Sequence, residues 1–315
     1  MEYILLIVAT LCATGKTLAC KKLGTPDQTG KRSKLYFKNS LIFLTATIPV
    51  LIANLINDIS ALFTVSLFSL LLALVFGGIM VYSQTTEIKA MELGSASLTA
   101  LIYALGLLIP IIYGRVFLKE DITLIQYLGM ALIILALVFI ISPKKDGRLG
   151  IVWLLFSLLA MVGSGGAAVV QKIHQSSEYK GELLPFIFVS LLFASLLFAV
   201  LGFTMKIKEV EYGDKTAKNV SVDCEKASTY PSKTDRIKNV AFILLSGTVI
   251  GGVHIINLFL AGKLPAVIQF PIYNLGNMIL VGVLSSIIFK DRITRSQLIG
   301  FAVGCVAILM LGLGG

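Results

Sequence analysis

Glu92-Leu-Gly-Ser-Ala-Ser-Leu-Thr99 opens an apolar run that ends in Lys119-Glu120-Asp121-Ile122-Thr123-Leu-Ile-Gln126-Tyr-Leu-Gly129. The stretch reads as an apolar helix, a tight charged turn and the start of a second apolar helix. The turn has an echo. Lys119-Glu120-Asp121-Ile122-Thr123-x-x-Gln126-x-x-Gly129 matches Lys290-Asp291-Arg292-Ile293-Thr294-x-x-Gln297-x-x-Gly300 at a constant offset of 171 residues. Further apolar runs lie between them, so the chain reads as two copies of one membrane unit.

Composition agrees. Of 315 residues, 57% are hydrophobic and 14% charged, with a mean hydropathy of +0.91. A soluble domain carries about a quarter charged residues, so this deficit, spread along the chain, implies many spans. Ten runs are long enough: 3–20, 36–56, 62–85, 94–118, 122–141, 150–170, 183–205, 240–261, 265–289 and 293–313. Lipid demands internally paired backbone, and these runs are too long for barrel strands, so they are expected to be helices. The expected fold is an all-α membrane protein with ten transmembrane helices in two inverted five-helix repeats. The repeats would be residues 1–142 and 150–315, joined by a basic linker at 143–149. An odd number of spans per copy inverts the second copy, the arrangement many secondary transporters use.

The net charge of +10 does not point to nucleic acid, because the basic residues sit between apolar runs. The loops after runs one, five and seven are all basic, which places them in the cytoplasm and both termini outside. The first run lacks a basic start and carries Glu2, so it is read as a span rather than a signal peptide. Cys12, Cys20, Cys224 and Cys305 have neither metal nor redox spacing. Residues 206–238 form the one long hydrophilic segment, of mixed charge, read as a solvated loop.

Leu93-Gly-Ser-Ala-Ser-Leu-Thr99, the run to Phe117-Leu118-Lys119-Glu120-Asp121-Ile122-Thr123, and then Gln126 and Gly129 resemble the second half of an EamA-type repeat. The resemblance implies the drug/metabolite transporter superfamily and covers nearly the whole chain outside 206–238. It implies a central cavity lined by spans one, three, four, six, eight and nine. Members carry amino acids, sugars, nucleotide sugars or drugs, so it does not single out a substrate. The sequence departs from the family where many repeats carry a mid-helix proline in span four. Leu107 and Met278 stand there, with Pro110 and Pro271 displaced, so the helix breaks are expected elsewhere. Many members also have cytoplasmic termini, the reverse of what the loop charges indicate here. Small exporters of hydrophobic cations in the superfamily rely on a carboxylate in the first helix. Here Thr14, Gly15 and Lys16 stand in that region, and Glu87 and Glu92 are read at span ends, which disfavours cation export of that kind.

Polar residues inside a span are candidate functional groups. Asn274 and Asn277, three apart on one helix face, pair at offset 171 with Tyr103 and Gly106. Gln269, Lys16 and His254 complete the candidate substrate set, Lys16 as a cationic anchor and His254 as a proton relay. Gln84 and Gln171 are expected at one mouth. Gly163-Ser164-Gly165-Gly166, Gly247/Gly251 and Gly300/Gly304 read as close helix packing; the last two pairs also suit a homodimer. Neither a catalytic constellation nor a cofactor or metal motif stands out. The reading is a secondary transporter, not driven by ATP, of a small polar solute such as an amino acid or sugar in the lipid bilayer of the cell membrane, with a proton or ion as candidate coupling partner. The rival is a membrane scaffold or sensor acting through residues 206–238.

Overall fold

A computed structural model describes residues 1–22, 32–57, 59–62, 64–93, 99, 102–140, 150–217, 233–289 and 294–313. Among them the chain forms ten α-helices and no strand. They are α1 (Glu2–Lys22), α2 (Arg32–Asn57), α3 (Leu67–Leu93), α4 (Leu108–Val116), α5 (Leu124–Ile140), α6 (Ile151–Ser176), α7 (Leu183–Ala217), α8 (Lys233–Ala261), α9 (Ala266–Phe289) and α10 (Arg295–Leu313). Seven of these contain stretches long and apolar enough to cross a bilayer. Shorter apolar stretches occur at Glu2–Gly15, Ile102–Val116 and Leu124–Ile140. Large apolar side chains such as Ile4, Leu71, Leu135 and Leu196 point outward, as a lipid-facing surface requires.

Three boundaries differ from the sequence reading, each for a physical reason. Helix α3 runs past Gln84-Thr85-Thr86 to Leu93, because the hydroxyls of Thr85 and Thr86 donate to Val81 and Tyr82 carbonyls at 2.8 Å and keep polar residues within the helix. The ends of the 206–238 segment are helical, since α7 continues to Ala217 and α8 begins at Lys233; residues 218–232 lie outside the described residues. A 3-10 turn at Leu105–Leu107 precedes α4. Pro110 cannot donate to the Gly106 carbonyl, and its ring crowds that carbonyl, so the tightened turn falls just before it. The break therefore includes Leu107, where the family pattern puts it.

The sequence halves interleave. One apolar core joins Phe43 (α2), Phe76 (α3), Phe186 (α7) and Leu258 (α8). A second joins Ile111 (α4), Leu137 (α5), Phe270 (α9) and Phe301 (α10). A smaller one ties α1 to α8 and its following turn through Leu6, Leu260 and Leu264. Helix α2 packs on α7 and α8, α3 on α6 and α7, α5 on α10, and α1 on α8 and α9.

Small residues set the closest approaches. A Cβ added at Gly129 would stand 3.3 Å from the Ala307 carbonyl oxygen, and one at Gly300 would stand 2.9 Å from that of Ala136. Gly247 and Gly251 seat α8 on α2 at Thr45, Ala46 and Pro49, and Gly165 seats α6 on Gly106 and Ile109. Between lipid-embedded helices such contacts replace the hydrophobic drive. The echoed Thr-x-x-Gln is a capping box at both α5 and α10. The Thr123 and Thr294 N–H groups each donate to the Gln side chain three residues on at 2.9 Å, and the Gln N–H groups return to the threonine hydroxyls.

Candidate functional site

Two chambers lie where the cores meet. The larger, of about 580 Å³, draws its wall from α2, α3, α6, α8 and α9, with Ala13 of α1 and with Tyr103. The smaller, of about 300 Å³, reaches toward α5 and the far part of α9 through Leu137, Met278 and Val281. Five residues line both: Glu87, Tyr103, Ser164, Asn274 and Asn277. The site is thus the partition between two compartments, and α2 joins the lining helices expected from sequence.

Tyr103, Asn274 and Asn277 come together as the repeat alignment predicts. The Tyr103 hydroxyl hydrogen-bonds with Ser164 and Ser83. The Asn277 Oδ1 accepts a 2.9 Å hydrogen bond from the Thr14 hydroxyl, which fixes its amide against α1. The Asn274 amide donates to the Phe270 carbonyl one turn back at 2.9 Å, leaving its Oδ1 as an acceptor at the chambers. His254 lines the larger chamber, edge-on to the Phe76 ring at 6.0 Å. Gln84 and Gln171 line it too. Gln269 does not: it is fully buried and donates to the Asn257 carbonyl at 2.7 Å, tying α9 to α8. Its polarity serves the helix contact, because a buried amide needs a partner. Lys16 lies on α1, and its side chain is outside the described residues.

Sequence reading missed Glu87. Placed at a span end, it stands six residues before Leu93 and faces both chambers. Its signal is the spacing Met80, Ser83, Gln84, Glu87, which puts all four on one face of an otherwise apolar helix. Asn39, Ser246 and Asn257 of the larger chamber were missed as well; they are spread over α2 and α8 with no common spacing to mark them.

A buried ion pair stands beside one lining residue of the larger chamber. Gln171 lines the chamber, and the next residue, Lys172, is 3% exposed. The Lys172 Nζ donates to Glu120 Oε1 and to the Leu264 carbonyl, both at 2.6 Å. Glu120 Oε2 accepts the Ala266 N–H at 2.8 Å, capping α9. Gly114 leaves room for this carboxylate, since any Cβ there would collide with it. Lys119 takes a left-handed conformation (φ 55°), and the Glu120 N–H returns to the Gly114 carbonyl at 3.0 Å. The charged turn is therefore a latch as well as a helix junction. Two more glutamates serve helix starts in the same way: Glu182 accepts from Ser66 before α3, and Glu209 from Ser33 at α2. His174, wholly buried beside Phe186 and within 3.3 Å of the Ser69 hydroxyl, stands at the latched end. By sequence offset, Lys21 and Asp291 are the counterparts of Lys172 and Glu120; their side chains are outside the described residues.

Twenty-eight solved chains match the fold. One, described only as "Crystal structure of protein", superposes with a TM-score of 0.73 at 12% identity, covering 99% of this chain and 96% of its own. That likeness shows the fold alone. No curated protein matches the sequence significantly. The apolar helices make the chain an integral multi-pass membrane protein. Its residues 1–142 match the model of the EamA-like transporter family, a likeness that supports a place in the drug/metabolite transporter superfamily.

Proposed function

We propose that the protein is a secondary carrier of a small polar solute, working by alternating access, with Tyr103, Asn274 and Asn277 in contact with the solute. The observation that carries this reading is the shared partition. A solute held there touches groups that face both chambers, from helices of both cores. The chambers have the volume of small-molecule sites.

Packing supports ten spans in two inverted repeats. Exchange α1–α5 for α6–α10 and the principal packings map onto themselves: α2 on α7, α5 on α10, and α1 on α8 and α9 for α6 on α3 and α4. The glycine contacts obey the same exchange, since Gly129 with Ala307 becomes Gly300 with Ala136 at offset 171. Two bodies related in this way have two mirrored arrangements, the requirement for alternating access.

In this reading the pair of Lys172 and Glu120 closes one side of the path. The sequence reading puts the basic loops after the odd-numbered spans, on the side away from the α4–α5 turn, so by the positive-inside rule the latched end is outside and the state is read as inward-facing. His254 is the coupling group of this reading. Purified protein in proteoliposomes tests the assignment: Asn274→Ala lowers solute flux while the thermal unfolding midpoint is kept. Flux kinetics identical to the parent overturn it.

A further inference from the structure

Glu87 sets the charge of the solute. Resting on the carrier reading above, we propose that the partition binds organic ammonium groups, with the Glu87 carboxylate as counter-ion. The lining contains no Lys or Arg among the described residues, and Glu87 is its one carboxylate. Its carboxylate has neither a hydrogen bond nor an ion pair with any described residue, although it is largely removed from solvent. A carboxylate so placed is costly unless a proton or a cation neutralises it. The other titratable groups lining the chambers are Tyr103, Tyr273 and His254, and none is a fixed positive charge.

The rest of the wall suits a cation with an organic body. Phe43, Phe76, Tyr103, Phe242, Phe270 and Tyr273 line the larger chamber. Aromatic faces attract ammonium ions, most strongly where water is excluded. Asn274 and Asn277 add amide groups for a hydroxyl or carbonyl on the same solute. The sequence argument against cations rested on the first helix, where Thr14, Gly15 and Lys16 stand in the region of the family's carboxylate. Here the carboxylate comes from the third helix.

Three probes of one shape separate the charges: 2-phenylethylammonium, 2-phenylethanol and 3-phenylpropionate. Titration calorimetry on the purified full chain is expected to show the cation binding about tenfold or more tightly than either of the others. Glu87→Gln brings the cation down to the affinity of the alcohol, and Glu87→Asp keeps a preference for the cation. Equal binding of the three probes, failure of the cation to bind, or a cation preference that survives Glu87→Gln overturns the proposal. The carrier reading fails separately, if Asn274→Ala leaves flux unchanged for a transported solute of any charge.

Discussion

Lys172 reaches Glu120 across 2.6 Å with its ammonium almost wholly withdrawn from solvent, and the pair joins the α4–α5 turn to α6 and the start of α9. Removing one partner of a buried ion pair costs ~3–5 kcal/mol, because the other charge is left stranded. Lys172→Met should therefore lower the unfolding midpoint more than the double change Lys172→Met with Glu120→Gln. The glutamine can still accept the Ala266 N–H. Thermal melts of the three proteins in one detergent decide it; a double variant less stable than the single would contradict the ion-pair account.

The two capping boxes should behave as separate units. Thr123→Ala and Thr294→Ala each remove a hydroxyl that accepts from the Gln N–H three residues on. Each is expected to cost ~1 kcal/mol, and Thr→Ser should restore most of it. The sites stand on different helices, so the double variant should show the sum.

The α5–α10 seam predicts a graded response. A Cβ at Gly300 meets the Ile140 backbone nitrogen at 2.7 Å, whereas one at Gly312 meets nothing within 4 Å. Gly300→Ala should lose ~1–3 kcal/mol by overpacking, and Gly312→Ala should lose none. The Gly300 face is occupied within the chain, so oligomeric state, read by light scattering, should not change with the substitution.

The hydrogen bond from Thr14 to Asn277 gives a test that spares the site residues. Thr14→Val keeps the shape and removes the donor. A hydrogen bond of this kind contributes ~1 kcal/mol, so solute affinity should fall several-fold with the fold intact. An unchanged affinity would show that the Asn277 amide is positioned by other contacts.

Much of this was legible in the sequence. The echoed turn pointed to a repeat because a capping Thr and Gln, a close-packed Gly and a latching carboxylate each tolerate few substitutes at fixed spacing. The two asparagines stood out as polar residues within an apolar run, the repeat alignment added Tyr103, and all three line the chambers. Glu87 did not, because a carboxylate near the end of an apolar run reads the same whether it meets bulk water or an internal chamber. Lys172 was lost for the same reason: its partner lies 52 residues away and has no local pattern to betray it. Gln269 stands outside both chamber linings, because an intramembrane amide can serve packing as well as a ligand.

The interleaving of the two cores also bears on how the protein is made. Ser40 meets Ser195 across 155 residues of chain, and Ser296 meets the Phe139 carbonyl across 157. Neither core can close until the second set of helices has left the ribosome and entered the bilayer, so the first set must wait there partly unpaired. The same geometry means that the connection at 143–149 is not needed to hold the halves together. Two chains cut in that segment and produced side by side should find each other in the membrane, while either alone should be degraded.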